Sequence, residues 1–574
     1  MTKKLLIASL LLLSIKTHSQ LKYDRVFGSV INTVSQIGDV KATTDEFYYA
    51  DSSNRQIKIA NSKNSNTTVF YTFPATIPAP TLTYNNMDIA DVKFDNSGNL
   101  IVYGRTHNAN LGQGNVYSNV TIPNYLTAYT FIAKISATGN LVWLTYFHDL
   151  LQQKNNLAID ANNNIYVLTV RPKTEILSPS YFQGTADLNA TSNYQEVISK
   201  LNSSGNHLWS TFYFNEGSRI QSIQAGNDGL YVYGDHLGAT ATSKYFGTPN
   251  SHQEYATGYG SANNDNSNVF LSKFDFNGSR IWSTYFGKEV AKTTLPYNIY
   301  PRNLAVIGND AYILTTHKNR TTNNTFNVAT SPIYISQPTN NEFNYTLTKF
   351  SSNGSKAWTT YLHTANNVYK TMQNEIMVTG DIENTYTNLN SMTTTEAYQT
   401  NHGGKKDIYT AIFPSDGRSL KFGSLYGFAG NEQAYSIPTN KGFYIIGTSS
   451  DNTSSSTNLS SNNEQFIERN QSGYYGNILA YFELKNLSIR NGINSLTFSI
   501  FPNPTTNLLH LETKEELNDL TELKVYDING RLIIATTAKN PNQNTINVST
   551  LSPGIYFLKI NSTIYNETIK FIKK

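Results

Sequence analysis

Two acidic stretches, Asp95-Asn96-Ser97-Gly98-Asn99 and Asp160-Ala161-Asn162-Asn163-Asn164, resemble the start of a calcium loop. A loop of that kind needs Gly at its sixth position and a bidentate Glu at its twelfth. Counting from Asp160 puts Ile165 and Arg171 there, and Gly98 comes too early in the Asp95 stretch, so both read as hairpin turns. Calcium stays open on these clusters alone; otherwise no cofactor and no metal site is predicted. His107, His236 and His317 follow what read as comparable strand ends, where they could gather as ligands or general bases. The simpler expectation is three loop histidines with no joint role. Polysaccharide cleavage needs two carboxylates about 5–10 Å apart, and the sequence singles out no pair. No G-x-S-x-G element or P-loop stands out. The chain has no Cys, which removes thiol catalysis, disulfides, Cys-type zinc sites and lipoprotein acylation. Catalytic residues are therefore unassigned, and an enzyme is the less favoured reading.

The elements that would carry any site are repeats. Ile132–Phe147, Ile198–Tyr213, Leu271–Phe286 and Leu347–Leu362 share the frame K-φ-x-x-x-G-x-x-x-W-x-T-aromatic, opened by Lys134, Lys200, Lys273 and Lys349. Trp143, Trp209, Trp282 and Trp358 lie 66, 73 and 76 residues apart. A degenerate copy spans Thr410–Gly427, with Phe422 near the Trp position. Each copy reads as a β-hairpin, because Gly139, Gly205, Gly278 and Gly354 supply the positive φ its turn requires. The tryptophans are expected to pack between neighbouring sheets. A second hairpin recurs at 37–50, 89–104, 157–168, 220–234, 304–314, 372–380 and 435–447. Two hairpins make a four-stranded propeller blade. The last blade is split: Asn477–Leu484 supplies one strand and Tyr23–Gly28 the next. This predicts an all-β fold, a seven-bladed β-propeller with N/C-terminal strand closure, plus a small C-terminal β-sandwich. An open solenoid is the alternative.

These hairpins and the Tyr-Val-x-Gly strands resemble the SBBP-type β-propeller repeat of secreted bacterial proteins, as do the phrases Phe246–Gln253 and Glu396–Gly404. The resemblance implies a propeller and no particular activity. The G-x-x-x-W spacing differs from the sialidase Asp-box, and no quinone-cofactor cluster accompanies it. After Asn491 the repeat stops. Pro502, Asn503 and Pro504 in Ser499–Asn507, the turn ending at Gly530, and the Gly554/Tyr556 strand follow in an order that resembles the type A sorting domain of the Bacteroidetes type IX secretion system. That resemblance implies the secretion machinery as a partner, passage across the outer membrane, and removal of the domain. An ordinary Ig-like module is the alternative.

Composition agrees. Tyr (39) and Phe (28) suit half-buried strands, and only 15% of residues are charged. A net charge of +4 with no basic run argues against a nucleic-acid partner. Lys3-Lys4 followed by the short apolar run Leu5–Leu13 reads as a secretory signal, cut before Gln20. A membrane span needs about 20 apolar residues, so no transmembrane segment is expected in the mature protein. The expected organisation is a signal peptide (1–19), a repeat domain (20–490) and a sorting domain (491–574), in a secreted or cell-surface protein. The expected function is non-enzymatic binding or adhesion to a glycan or protein. The alternative is a polysaccharide hydrolase or lyase acting at the propeller funnel.

Overall fold

The computed structural model describes residues 20–27, 38–60, 67–74, 87–107, 111, 129–147, 150–151, 156–177, 181–237, 243–256, 267–287, 297–319, 334–335, 343–386, 388–427, 430–450, 467–469, 476–484, 499–512, 521–528, 530–538, 544–561 and 566–574. The expected signal peptide lies outside them, as do most of two Asn/Thr-rich stretches of the repeat region, Thr257–Ser267 and Lys318–Asn327. The fold is all-β, its only helices among the described residues being two single 3-10 turns. The chain divides into two compact units, Met1–Lys485 and Asn486–Lys574.

In the first unit the described residues form seven sheets in chain order. Residues 38–72, 88–147, 150–212, 218–286, 297–362 and 367–426 give sheets 1 to 6, each an antiparallel meander. Sheet 7 takes Glu432–Pro438, Gly442–Ser449 and Gly476–Glu483, and is completed by Gln20–Phe27 from the start of the chain. Gln20–Phe27 runs antiparallel to Gly476–Glu483, with Phe27 opposite Asn477 and Gln20 opposite Glu483. The short strand Ile467–Arg469, which the sequence did not reveal, adds on its other side in parallel.

One expected hairpin is misplaced. Residues 372–380 were expected to hold both strands, but the first is Asn367–Lys370, before Met372. The turn is Thr371–Glu375, closed by Asn374 N donating to Thr371 O at 3.0 Å. Asn374 takes the positive φ of 60° that glycine takes elsewhere, so the Gly signal is absent.

Neighbouring sheets pack through buried aromatic rings. Tyr103 and Tyr233, from the V-Y-G strands, are fully buried. Their hydroxyls donate to Leu168 O (2.9 Å) and Leu314 O (2.8 Å) of the following sheet, so burial of each ring leaves its polar tip satisfied. Sheet 7 meets sheet 1 similarly. Tyr444 OH donates to Asp45 O at 2.9 Å, Asn440 N donates to Asp45 Oδ1 at 2.7 Å, and Val40, Phe47, Tyr444 and Tyr481 share one cluster.

The second unit has a three-stranded sheet (Ser499–Phe501, Leu508–Glu512, Asn544–Asn547) and a four-stranded sheet (Leu532–Ala538, Thr521–Asp527, Gly554–Asn561, Asn566–Lys573). Leu509, Leu511, Leu523, Val525, Leu558 and Phe571 form its core. Between the two prolines, Asn503 Oδ1 accepts from Ile572 N (2.9 Å) and its Nδ2 donates to Lys570 O (3.2 Å). That side chain thus fastens the Pro502/Pro504 segment to the last strand. Gly530 has φ +78° and its N–H returns to Asp527 O at 3.0 Å. Gly554 opens its strand, and Tyr556 stacks on Phe571 while its hydroxyl donates to Ser552 O at 3.0 Å.

Candidate functional site

The repeat residues form contacts between sheets. Lys134, Lys200, Lys273 and Lys349 stand directly opposite Trp143, Trp209, Trp282 and Trp358 across each hairpin. Trp and Lys then share one acceptor in the next sheet. Ser203 O receives Trp143 Nε1 (3.2 Å) and Lys134 Nζ (3.3 Å). Phe276 O receives Trp209 and Lys200, and Ser352 O receives Trp282 and Lys273. The indoles lie against the next turn's glycine: a β-carbon on Gly205, Gly278 or Gly354 would come 2.9–3.1 Å from the ring of Trp143, Trp209 or Trp282. Trp358 meets Gly417 in the degenerate copy, whereas Gly139 faces Phe70.

The acidic turns have similar work. Asp95 Oδ1 accepts from Ser97 N and Asn99 N, and its carboxylate pairs with Lys134 at 2.8 Å. Burial opposes ionisation of Asp95, but the Lys134 and Asn99 hydrogen bonds outweigh it and hold the carboxyl below its ordinary range. Asp160 Oδ1 accepts from Asn162 N and Asn164 N, closing its own turn. Among the described residues no group of three or more His, Asp or Glu is arranged to hold a metal.

Two of the histidines are not in loops, contrary to expectation. His236 belongs to the strand Leu230–Leu237 and His317 to Asp310–Asn319, and both are buried. His236 Nδ1 meets Tyr285 OH at 3.0 Å and Nε2 meets Glu216 O at 3.1 Å. His317 Nε2 lies 2.9 Å from Thr315 Oγ1 and 2.8 Å from Thr346 Oγ1. Burial lowers their pKa values to about 4 and about 3, so both rings are neutral at pH 7. His107 follows the strand Leu100–Thr106.

The place where chemistry collects is a cavity of about 820 Å³ on the innermost strands. Six of the seven sheets contribute to its wall, among them through Asp39, Asp91, Gln221, Asn303, Asn367 and Gln433. Three innermost strands carry a β-bulge at the same point, between Ile89 and Asp91, Ile220 and Ser222, and Pro301 and Asn303. The extra residues are Ala90, Gln221 and Arg302, and all three line the cavity. A bulge leaves one residue outside the ladder and re-aims its side chain.

Beside the bulges, polar side chains tie inner strands to strands of the neighbouring sheets. Asp39 accepts from Val40 N (2.9 Å) and from Phe94 N of sheet 2 (2.8 Å). Asn303 Nδ2 donates to Asn367 Oδ1 of sheet 6 at 3.2 Å. Glu196 Oε1 accepts from Ile220 N at the second bulge, at 2.7 Å. Burial pushes Glu196 up to about 8, Asp235 adding and Arg219 opposing.

Asp91 differs from the rest. Its Oδ2 is buried without a hydrogen-bond partner. Burial pushes its pKa up to about 6, with Asp39 adding to the rise and Lys93 opposing it. Burial likewise raises Asp39. Tyr369, facing the same space, is raised by burial and then by Tyr435 and Asp91. None of these cavity residues belongs to a motif. Their one sequence signal is a polar residue just before the apolar residue of each inner strand, as in Asp39-Val40, Asp91-Val92, Asn303-Leu304 and Asn367-Val368.

Residues 499–574 match the secretion system C-terminal sorting domain. The second unit is therefore an export signal, and the chain is a secreted or cell-surface protein exported by type IX secretion. No helix among the described residues is long and apolar enough to cross a membrane. No curated protein matches the chain. Several solved structures are similar to it at low identity. Phage phi92 endosialidase is 9% identical, with 97% of this chain and 86% of that chain covered and a TM-score of 0.29. A mutant Trypanosoma rangeli sialidase with trans-sialidase activity is 7% identical, with 87% and 86% covered and a TM-score of 0.26. The uncharacterized protein lmo1340 from Listeria monocytogenes EGD-e is 9% identical, with 75% and 92% covered and a TM-score of 0.34.

Proposed function

We propose that residues 20–490 are a seven-bladed propeller of the SBBP-repeat kind, following a signal peptide of residues 1–19 and carried out of the cell by the sorting domain from 491 to 574. The pairing of Gln20–Phe27 with Gly476–Glu483 and the hydrogen bonds from sheet 7 to Asp45 support ring closure. The propeller is a binding module for a hydroxyl-rich ligand, a glycan, seated in the central cavity. The observation that carries this reading is the cavity itself: about 820 Å³, lined by amides and carboxyls from six sheets. Such groups offer donors and acceptors in the mixture that sugar hydroxyls require.

The Asp39/Asp91 pair favours a second reading, a polysaccharide hydrolase with Asp91 as proton donor, because its pKa is pushed up to about 6. Binding is preferred because both carboxylates already hold backbone N–H groups of the inner strands. The test uses the purified chain from Gln20 and a panel of oligosaccharides, read by thermal shift and by release of reducing ends. A concentration-dependent rise in melting temperature without product, reduced in a Gln221→Leu/Gln433→Leu variant, is the expected result. New reducing ends that vanish in Asp91→Asn would establish the hydrolase instead. A panel that moves neither readout would overturn the glycan reading.

A further inference from the structure

We propose that the saccharide taken by the central cavity is acidic, its carboxylate or sulfate received by Arg302, with Lys370 lining the same cavity from the adjoining sheet. This rests on the preceding reading that the cavity is a saccharide site. Arg302 is the bulged residue of the strand Tyr297–Ile307, placed where sheets 2 and 4 present Ala90 and Gln221. The bulge leaves that residue outside strand pairing, so its identity is free of the demands of the ladder. At this free position stands a guanidinium, exposed and lining the cavity.

The arginine is held in place but not neutralised. Its Nε donates to Thr316 Oγ1 at 2.6 Å, which fixes the plane of the fork and leaves both terminal amino groups for a ligand. It makes an ion pair with no described residue, and neither does Lys370. None of the described carboxylates of the wall pairs with Arg302 or Lys370. Asp381 pairs with Lys406 and accepts from Asn366. Asp39 and Asp91 sit together on sheets 1 and 2, where Lys93 acts on both. Asp39, Asp91 and Lys93 thus cluster on sheets 1 and 2, while Arg302 and Lys370 on sheets 5 and 6 are paired by no described carboxylate. A planar fork with two free amino groups fits carboxylate or sulfate oxygens in a bidentate manner. The amides of Gln221 and Gln433 remain along the wall for hydroxyl groups.

The test is calorimetric titration of the purified chain from Gln20 with three matched oligosaccharides: a neutral one, its uronate counterpart and its sulfated counterpart. The acidic ligands are expected to bind at least about tenfold more tightly than the neutral one, with affinity falling as salt is raised. Which of the two acids binds better identifies the source of the charge. Arg302→Gln is expected to abolish the preference, weakening the acidic ligands at least about tenfold more than the neutral one. Arg302→Lys keeps the charge, loses the fork, and should retain part of the preference. Lys370→Gln carries the same test at an exposed position if the Arg302 variants melt early. Equal affinity for neutral and acidic ligands, or a preference that survives both Arg302→Gln and Lys370→Gln, overturns the acidic assignment and leaves the saccharide reading standing. If none of the three binds, both readings fall.

Discussion

A glycine with positive φ can be required by the backbone alone or also by what stands over it, and this chain contains both kinds. Gly98 (φ +78°) closes the Asp95 turn, and a β-carbon there would meet nothing within 4 Å. Gly278 (φ +94°) closes a comparable turn, but its β-carbon would come 3.1 Å from the ring of Trp209. Alanine at Gly98 is therefore expected to bring only left-handed strain, about 1 kcal/mol. Alanine at Gly278 must in addition push back an indole whose Nε1 is tied to Phe276 O, for a total of about 2–4 kcal/mol. Urea unfolding of the two variants checks this, and equal midpoints would mean that the indole gives way freely. The same reasoning explains why Trp recurs where it does. The ring needs a neighbouring turn without a side chain, and the repeat supplies one in each following sheet.

At the scale of the element, the strand Gln20–Phe27 completes sheet 7 from the far end of the chain. It pairs with Gly476–Glu483 on one side and with Ile467–Arg469 on the other. Without it, Gly476–Glu483 would present a row of unpaired N–H and C=O groups, the arrangement that recruits other chains. Deleting residues 20–27 is expected to lower the melting temperature and to produce oligomers in size-exclusion chromatography. A synthetic peptide of residues 20–27 added in trans should restore the monomer. A deletion variant that stays monomeric and melts unchanged would show that this strand does not hold the sheet together. The strand was legible in the sequence because its Tyr-x-x-Val-Phe-Gly ending matches the hairpins elsewhere. The strand Asn367–Lys370, whose turn uses Asn374 in place of glycine, was placed poorly because its turn carries no glycine mark. The cavity was hardly legible at all. Asp39, Asp91, Arg302 and Lys370 are far apart in the chain, and each is one residue in a short inner strand with no period to announce it. A bulge leaves no mark in composition, so the re-aiming of Gln221 and Arg302 becomes visible only with the ladder register.

For the molecule as a whole, the division into Met1–Lys485 and Asn486–Lys574 separates the cavity from the export signal. Each unit has its own buried core, that of the second built on Leu509, Leu511, Val525 and Leu558. The residues that resemble the sorting signature hold that second core's fabric together: Asn503 fastens the proline segment to the last strand, and Gly530 closes a turn. Removal of residues 499–574 should therefore abolish appearance at the cell surface and in the medium. The melting temperature of the purified first unit should match that of the corresponding transition in the intact chain, because separate cores unfold separately. Immunoblots of medium, surface and periplasm, with melting curves of both proteins, measure the two halves of this prediction. A truncated chain that still reaches the medium would mean that the export information extends into the first unit. A truncated chain that is retained but melts several degrees lower would instead make the second unit a structural partner of the first as well as its export signal.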